Sequence, residues 1–194
     1  MEKTIIFACL LSVLLMSSSS PPAVMGKYYS KSRVVPVPLT QKKTELHFFM
    51  HDIISGNTPT AVNIAAPKGV VVGEGNIGPF GAVYVFDDPL TVTADPKSEV
   101  VGNGRGFYTV VSIDVKNSWM LLFTGDIGFT SGKYNGSSIS VFSRDPLVQT
   151  KELAIVGGRG QFRMAKGFLI INMVYFNATN GDAILEFNCT VFHQ

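Results

Sequence analysis

The sequence predicts an all-β fold, an eight-stranded antiparallel β-barrel with a central ligand pocket, on three observations. Apolar residues recur at every second position in short runs. Turn signals rich in glycine and asparagine separate those runs. Neither a helical apolar repeat nor a βαβ alternation occurs. The chain has 194 residues, enough for one domain with a sizeable core, and its nineteen glycines and ten prolines supply the turns.

The first candidate strand carries Leu46, Phe48, Met50 and Asp52 on one side and His47, Phe49, His51 and Ile53 on the other. Both sides are largely apolar. That suits a barrel wall with an interior pocket on one face and another subunit on the other. Further strands are expected at 69–73, 81–87, 100–112, 118–130, 137–143, 152–156, 163–175 and 183–193. The hairpin signal Asn135-Gly136, a pair suited to a type I′ turn, leads into Ser138 to Phe142, which alternates polar and apolar. Leu153 to Val156 is a short apolar run stopped by Gly157-Gly158-Arg159-Gly160. In the last strand Leu185, Phe187, Cys189 and Val191 face inward, and Glu186, Asn188 and Thr190 outward.

Residues 1–20 read as a signal peptide. Their apolar run, 5–16, is too short to cross a bilayer, which takes about 20 residues, and small residues and Pro21-Pro22 follow it. Cleavage between 17 and 26 leaves a basic leader through residue 43 and a barrel over 44–194. The leader holds Lys27, Lys31, Arg33, Lys42 and Lys43 with no acid, which makes it a solvated arm or a contact for an acidic polymer. The mature chain is expected outside the cell, with the sequons at Asn135, Asn177 and Asn188 as glycosylation sites. Loss of Cys9 leaves Cys189 with no disulfide partner, a buried and inert thiol in an apolar strand.

Several chemistries are disfavoured. A net charge of +2 is too small for a typical nucleic-acid binder. Residues 73–78 fit GxGxxG, yet Pro79 and Gly81 stand where a phosphate-binding helix would begin. His47 and His51 have the spacing of a zinc pair but lack the adjoining Glu and lie on a β pattern, so no metal is expected. There is no G-x-S-x-G, and no cofactor site is recognisable.

What remains is polar residues set in apolar strands. Asp52 ends the face of Leu46, Phe48 and Met50, so its carboxyl either points into the barrel with a raised pKa or caps the Ser55-Gly56 turn. Tyr108 follows Gly106-Phe107, where the glycine leaves room for a ring against the backbone, and from the residues alone it reads as a satisfied core tyrosine. Arg144, Asp145 and Lys151 flank strands, where charges are mostly solvated.

HFFMHDI (47–53), DDPLT (87–91), GFY (106–108), the segment 133–168 and GDAILEFNCTVFH (181–193) together resemble the dirigent proteins of plants, over roughly residues 44–193. The resemblance implies a secreted, apoplastic barrel that self-associates as a trimer or dimer and has no redox centre. An external laccase or peroxidase would supply phenoxy radicals of a monolignol such as coniferyl alcohol, and the barrel would direct their coupling through quinone methides toward lignans. It further implies Asp52 and Tyr108 as catalytic residues, with Phe48, Met50, Phe107, Arg144, Asp145 and Lys151 binding the ligand. In lignan-forming members an acid takes the place of Arg144 and an arginine that of Lys151, and Asp145 would replace the acid by a one-residue shift. Asn103-Gly104-Arg105-Gly106 also departs from the usual Arg-Ala-Gln-Gly, which places Arg105 at the pocket rim. These departures leave two alternatives: a pterocarpan synthase dehydrating an isoflavan-4-ol, and a cell-wall protein without turnover.

Overall fold

The computed structural model describes residues 32–34, 40–72 and 78–194. Nine strands follow in order: β1 (Lys42–Asp52), β2 (Ala61–Ala65), β3 (Val83–Thr91), β4 (Val100–Val110), β5 (Met120–Phe129), β6 (Ser138–Pro146), β7 (Thr150–Arg159), β8 (Lys166–Phe176) and β9 (Ala183–His193). All pairings are antiparallel. The sheet runs β1-β9-β8-β7-β6-β5-β4-β3, and β3 pairs back onto β1 at Phe49↔Thr91 and Met50↔Leu90, closing a barrel of eight strands. β2 is a ninth, short strand beside the first half of β3, from Ala61↔Phe86 to Ala65↔Val83. After Met50, β1 leaves β3; β2 takes over its edge a few residues further on.

Period-two patterning decides the inside. Along β9 the residues Ala183, Leu185, Phe187, Cys189, Val191 and His193 are buried and those between them are not. β3 does the same with Tyr84, Phe86, Asp88 and Leu90. Closure leaves these inward rows nowhere to go except against each other, and it removes the open edges of the sheet. One end of the barrel is packed solid. Phe48 stacks on Phe187 at 5.2 Å, Phe129 meets Phe48 at 5.8 Å and Phe162 at 6.0 Å, and His193 closes on Phe162 at 5.1 Å.

Several expectations need correction. The strand β2 is absent from the sequence reading, because its Ala-Val-Asn-Ile-Ala carries no alternation and only Ala61 is buried. Residues 69–72 form no strand; residues 73–77, with most of the GxGxxG stretch, lie outside the described residues. β1 begins at Lys42, two residues before the expected barrel boundary, since Lys42 and Lys43 already pair with His193 and Phe192. Asn135-Gly136 forms a type II turn rather than type I′. Asn135 keeps φ −49° and only Gly136 takes a positive φ of 78°, with the Ser137 N–H donating to the Tyr134 carbonyl at 2.9 Å. The proposed signal peptide and most of the leader fall outside the described residues. Cys189 is buried as expected, its thiol pushed up to about 12 by desolvation.

Candidate active site

The open end of the barrel holds a pocket built from the ends of all eight barrel strands and the segments that join them. Met50 and Asp52 come from β1, Tyr84 from β3, Tyr108 and Val110 from β4, Leu121 and Phe123 from β5, Asp145 from β6, Lys151 from β7, Met173 and Phe176 from β8, and Ala183 and Leu185 from β9, with Trp119 just before β5. Its free interior is small, a cavity of about 60 Å³.

One wall is a ladder of rings. Tyr84 stacks on Tyr108 at 5.1 Å and 16°, Phe86 on Tyr108 at 6.0 Å, and Phe86 on Phe123 at 5.2 Å. These rings cross β3, β4 and β5 because their inward positions stand in register, Tyr84↔Tyr108↔Phe123. Glycines make the room: a Cβ on Gly106 would lie 2.0 Å from the Thr124 carbonyl and 3.0 Å from the Phe86 ring.

Asp52 enters this apolar chamber at the end of β1. Its Oδ1 is shut off from solvent and has no partner, while Tyr108 hydrogen-bonds the carboxyl group. Burial pushes the Asp52 carboxyl up to about 7; the Tyr108 bond and the Lys151 charge only partly offset this. The Tyr108 hydroxyl is raised well above its ordinary value by burial and by the Asp52 charge, so it stays a donor. For the same two reasons Tyr84 is pushed up to about 12.

Opposite them, β6 and β7 supply an ion pair. Extending the Val141↔Ile155 register sets Asp145 across from Lys151, and the two side chains, 6% and 5% exposed, pair directly. Burial raises the Asp145 carboxyl, and Lys151 opposes that shift. Trp119 offers a further polar atom, a buried indole N–H with no partner. Gly78 fits against its ring, since a Cβ there would stand 2.2 Å from it. At the mouth Asp182 accepts from the Ile54 and Ser55 N–H groups, both at 2.9 Å, and from the Ser55 hydroxyl at 2.6 Å. That clamp ties the β1–β2 loop to the β8–β9 turn.

Of the residues singled out from sequence, Asp52, Tyr108, Met50, Asp145 and Lys151 meet in this pocket. Three others do not. Phe48 is buried in the packed end, stacked on Phe187. Phe107 points out of the barrel and is 45% exposed, because Tyr108 beside it takes the inward position. Arg144 is exposed, for the same parity reason beside Asp145. Arg105, expected at the rim, lies outside and bonds Asp87 through Nε at 3.0 Å. Of the sequons, Asn135 and Asn188 are exposed, while Asn177 is half-buried and accepts from the Thr179 N–H at 2.9 Å. Sequence reasoning missed Tyr84, Trp119, Phe123 and Asp182. The alternation Tyr84-Phe86-Asp88 could have found Tyr84; the pairing that delivers Trp119 is long-range.

The eight-stranded barrel finds its match in the comparisons with known proteins. The model of the Dirigent-like protein family matches residues 43–192. The chain belongs to the dirigent family. Its relatives include dirigent protein 15 of Arabidopsis thaliana, 41% identical over 88% of this chain and 92% of the other. Pterocarpan synthase 1 of Glycine max is 37% identical over the full length of both chains. Among solved structures, a pterocarpan synthase dirigent protein superposes with a TM-score of 0.73 at 36% identity, covering 86% of this chain and 97% of that one.

Proposed function

We propose that this dirigent protein binds a phenolic guest in its open-end pocket and controls the face on which the guest's quinone methide reacts. The observation that carries this is the Asp52 carboxyl, raised to about 7 and bonded to Tyr108 inside an apolar chamber. Below pH 7 it is a neutral acid that can protonate a leaving or developing oxygen. Tyr84, Tyr108 and Phe123 offer the faces against which an aromatic guest packs. Tenfold selectivity between two faces needs only about 1.4 kcal/mol, within reach of a few oriented contacts.

Two reactions share this step. In the first, an external laccase or peroxidase makes coniferyl alcohol radicals, and the barrel directs their coupling toward lignans. In the second, a single isoflavan-4-ol loses water through its quinone methide to give a pterocarpan. One observation favours the second reading: Lys151 with Asp145 stands where lignan-forming members are expected to carry an arginine and an acid. Secretion to the apoplast, glycosylation at Asn135 and Asn188, and assembly with further copies belong to the same proposal, supported by the apolar run 5–16 and the exposure of the two asparagines.

The test is chiral chromatography after incubation with isoflavan-4-ol alone and with coniferyl alcohol plus laccase. Water loss without oxidase identifies dehydration. A one-handed lignan that needs laccase identifies coupling. Racemic product in both arms refutes stereocontrol.

A further inference from the structure

The closure of the barrel leaves a gap in the ladder beside β3. β1 pairs with Leu90 and Thr91, and β2 with Val83 to Phe86, so Asp87, Asp88 and Pro89 have no strand partner on that side. Pro89, with no N–H to give, fits such a gap, and the Asp87 N–H donates instead to the Thr60 carbonyl at 2.8 Å. Extending the Phe49↔Thr91 register carries Asp52 to the position opposite Asp88, on the inward face that holds Met50 and Leu90.

Asp88 is fully buried, and neither of its carboxyl oxygens has a hydrogen-bond partner; Asp52 Oδ1 is in the same condition. The nearby Thr60 hydroxyl lends some support, but its proton goes to the His51 carbonyl at 3.0 Å and it accepts from the Ile53 N–H at 3.0 Å. The charged groups that act on Asp88 are acids: Asp52 on β1 and Asp87 beside it, the latter bonded outside to Arg105; Tyr108 on β4 faces both carboxyls. Asp52 itself also faces Lys151, Asp145 and Asp182. An ionised carboxylate so placed has no donor to satisfy it, and a neutral acid is the form the surroundings accept. Burial first, and the Asp52 charge second, push Asp88 up to about 9, so Asp52 ionises before it.

We propose that Asp88 is a second buried acid of the site, a positioning residue that faces Asp52 where β1 and β2 part. Resting on the quinone methide reading above, it stays protonated while Asp52 gives up and regains its proton, and its O–H supplies the donor that Asp52 Oδ1 lacks. A single proton thereby serves two otherwise orphaned oxygens, one on each acid.

The experiment is carbon-13 NMR titration of carboxyl-labelled aspartates in the full chain and in Asp52→Asn, Asp88→Asn and Asp88→Leu, with chiral product analysis of each. In the wild type Asp88 stays neutral at pH 8. Asp52→Asn lowers the Asp88 titration by roughly one unit or more, because the opposing charge is gone. Asp88→Leu raises the Asp52 titration by a similar amount and degrades product handedness, whereas Asp88→Asn, which keeps an N–H donor, stays near the wild type in both. Asp88 ionising in the ordinary carboxylate range, or titrating unchanged in Asp52→Asn, overturns the pairing. An Asp52 titration that does not move in Asp88→Leu overturns the positioning role. These readings need no turnover, so a failure of the proposed reaction would show separately, as absent product with the titrations intact.

Discussion

Lys151 and Asp145 form an ion pair whose side chains are only 5% and 6% exposed. They act on Asp52 with opposite signs, Lys151 lowering its carboxyl and Asp145 raising it, so each offsets part of the other's effect. Removing one partner leaves a buried charge uncompensated. Lys151→Met should therefore cost about 3–5 kcal/mol in denaturant unfolding and move the Asp52 titration upward, while the double variant Lys151→Met/Asp145→Leu recovers most of the loss. Equal stability of single and double variants would show that the pair is not coupled.

Asp52→Asn keeps the shape of the carboxyl and removes its acid function. Turnover should fall by about 10²–10⁴-fold, the usual worth of a positioned acid. For the wild type, the rate should decline as pH rises through about 7, where the Asp52 carboxyl loses its proton. A pH-rate profile of Asp52→Asn should lack that limb. Handedness of the product, read on a chiral column, should weaken with it.

Much of the barrel was legible from alternation alone, because burial on one face of a strand leaves a period of two in the sequence; β9 reads this way along its whole length. The same parity rule places Asp52 inward with Met50 and Asp145 inward beside an outward Arg144. It failed where a neighbour decided the outcome. Phe107 is as apolar as Tyr108, and sequence offers no reason for the phenol rather than the phenyl to face the lumen. Phe48 has the right parity and still misses the pocket, because depth along the barrel depends on Phe187 and Phe129 packing against it. The gap beside Asp88 is a property of two strand pairings separated in sequence, and nothing local encodes it.

The outer surface carries a row across four strands, β3 to β6, that is apolar at three of its four positions. Val85 pairs with Phe107, Phe107 with Thr124, and Thr124 with Phe142, and Val85, Phe107 and Phe142 are 40%, 45% and 53% exposed. The proposed assembly with further copies of the chain predicts docking on this row. Phe107→Glu with Phe142→Glu should shift the mass seen by light scattering to that of a single chain without changing the far-ultraviolet spectrum. An unchanged mass in the double variant would assign assembly to another face.

Stability should fall as pH rises from about 4 to 9. Asp52 and Asp88 have folded values of about 7 and about 9 against an ordinary 3.8, so between those limits the folded chain holds more protons than the unfolded one. Asp87 and Asp182, held low by their hydrogen bonds, act in the opposite direction only below the ordinary carboxylate range. Thermal melts should thus give a higher Tm at pH 5 than at pH 8.5, and Asp88→Asn should flatten the difference. A Tm that climbs toward pH 8.5 would contradict the buried-acid account.

The aromatic wall depends on the absence of side chains behind it. A Cβ at Gly106 would meet the Thr124 carbonyl at 2.0 Å and the Gly125 Cα at 2.8 Å, both backbone of the adjoining strand, so β4 and β5 would have to part. Phe86 would be pressed at 3.0 Å in the same step, and its stack on Tyr108 carries the strain to the phenol that bonds Asp52. Gly106→Ala should destabilise the barrel by about 1–3 kcal/mol or more and lower turnover even where the protein remains folded. Gly128→Ala is the matched control, because its nearest neighbour would be 3.7 Å away, an ordinary contact. Equal effects of the two substitutions on unfolding and on turnover would show that added bulk in a strand, rather than the clash behind the aromatic ladder, sets the cost.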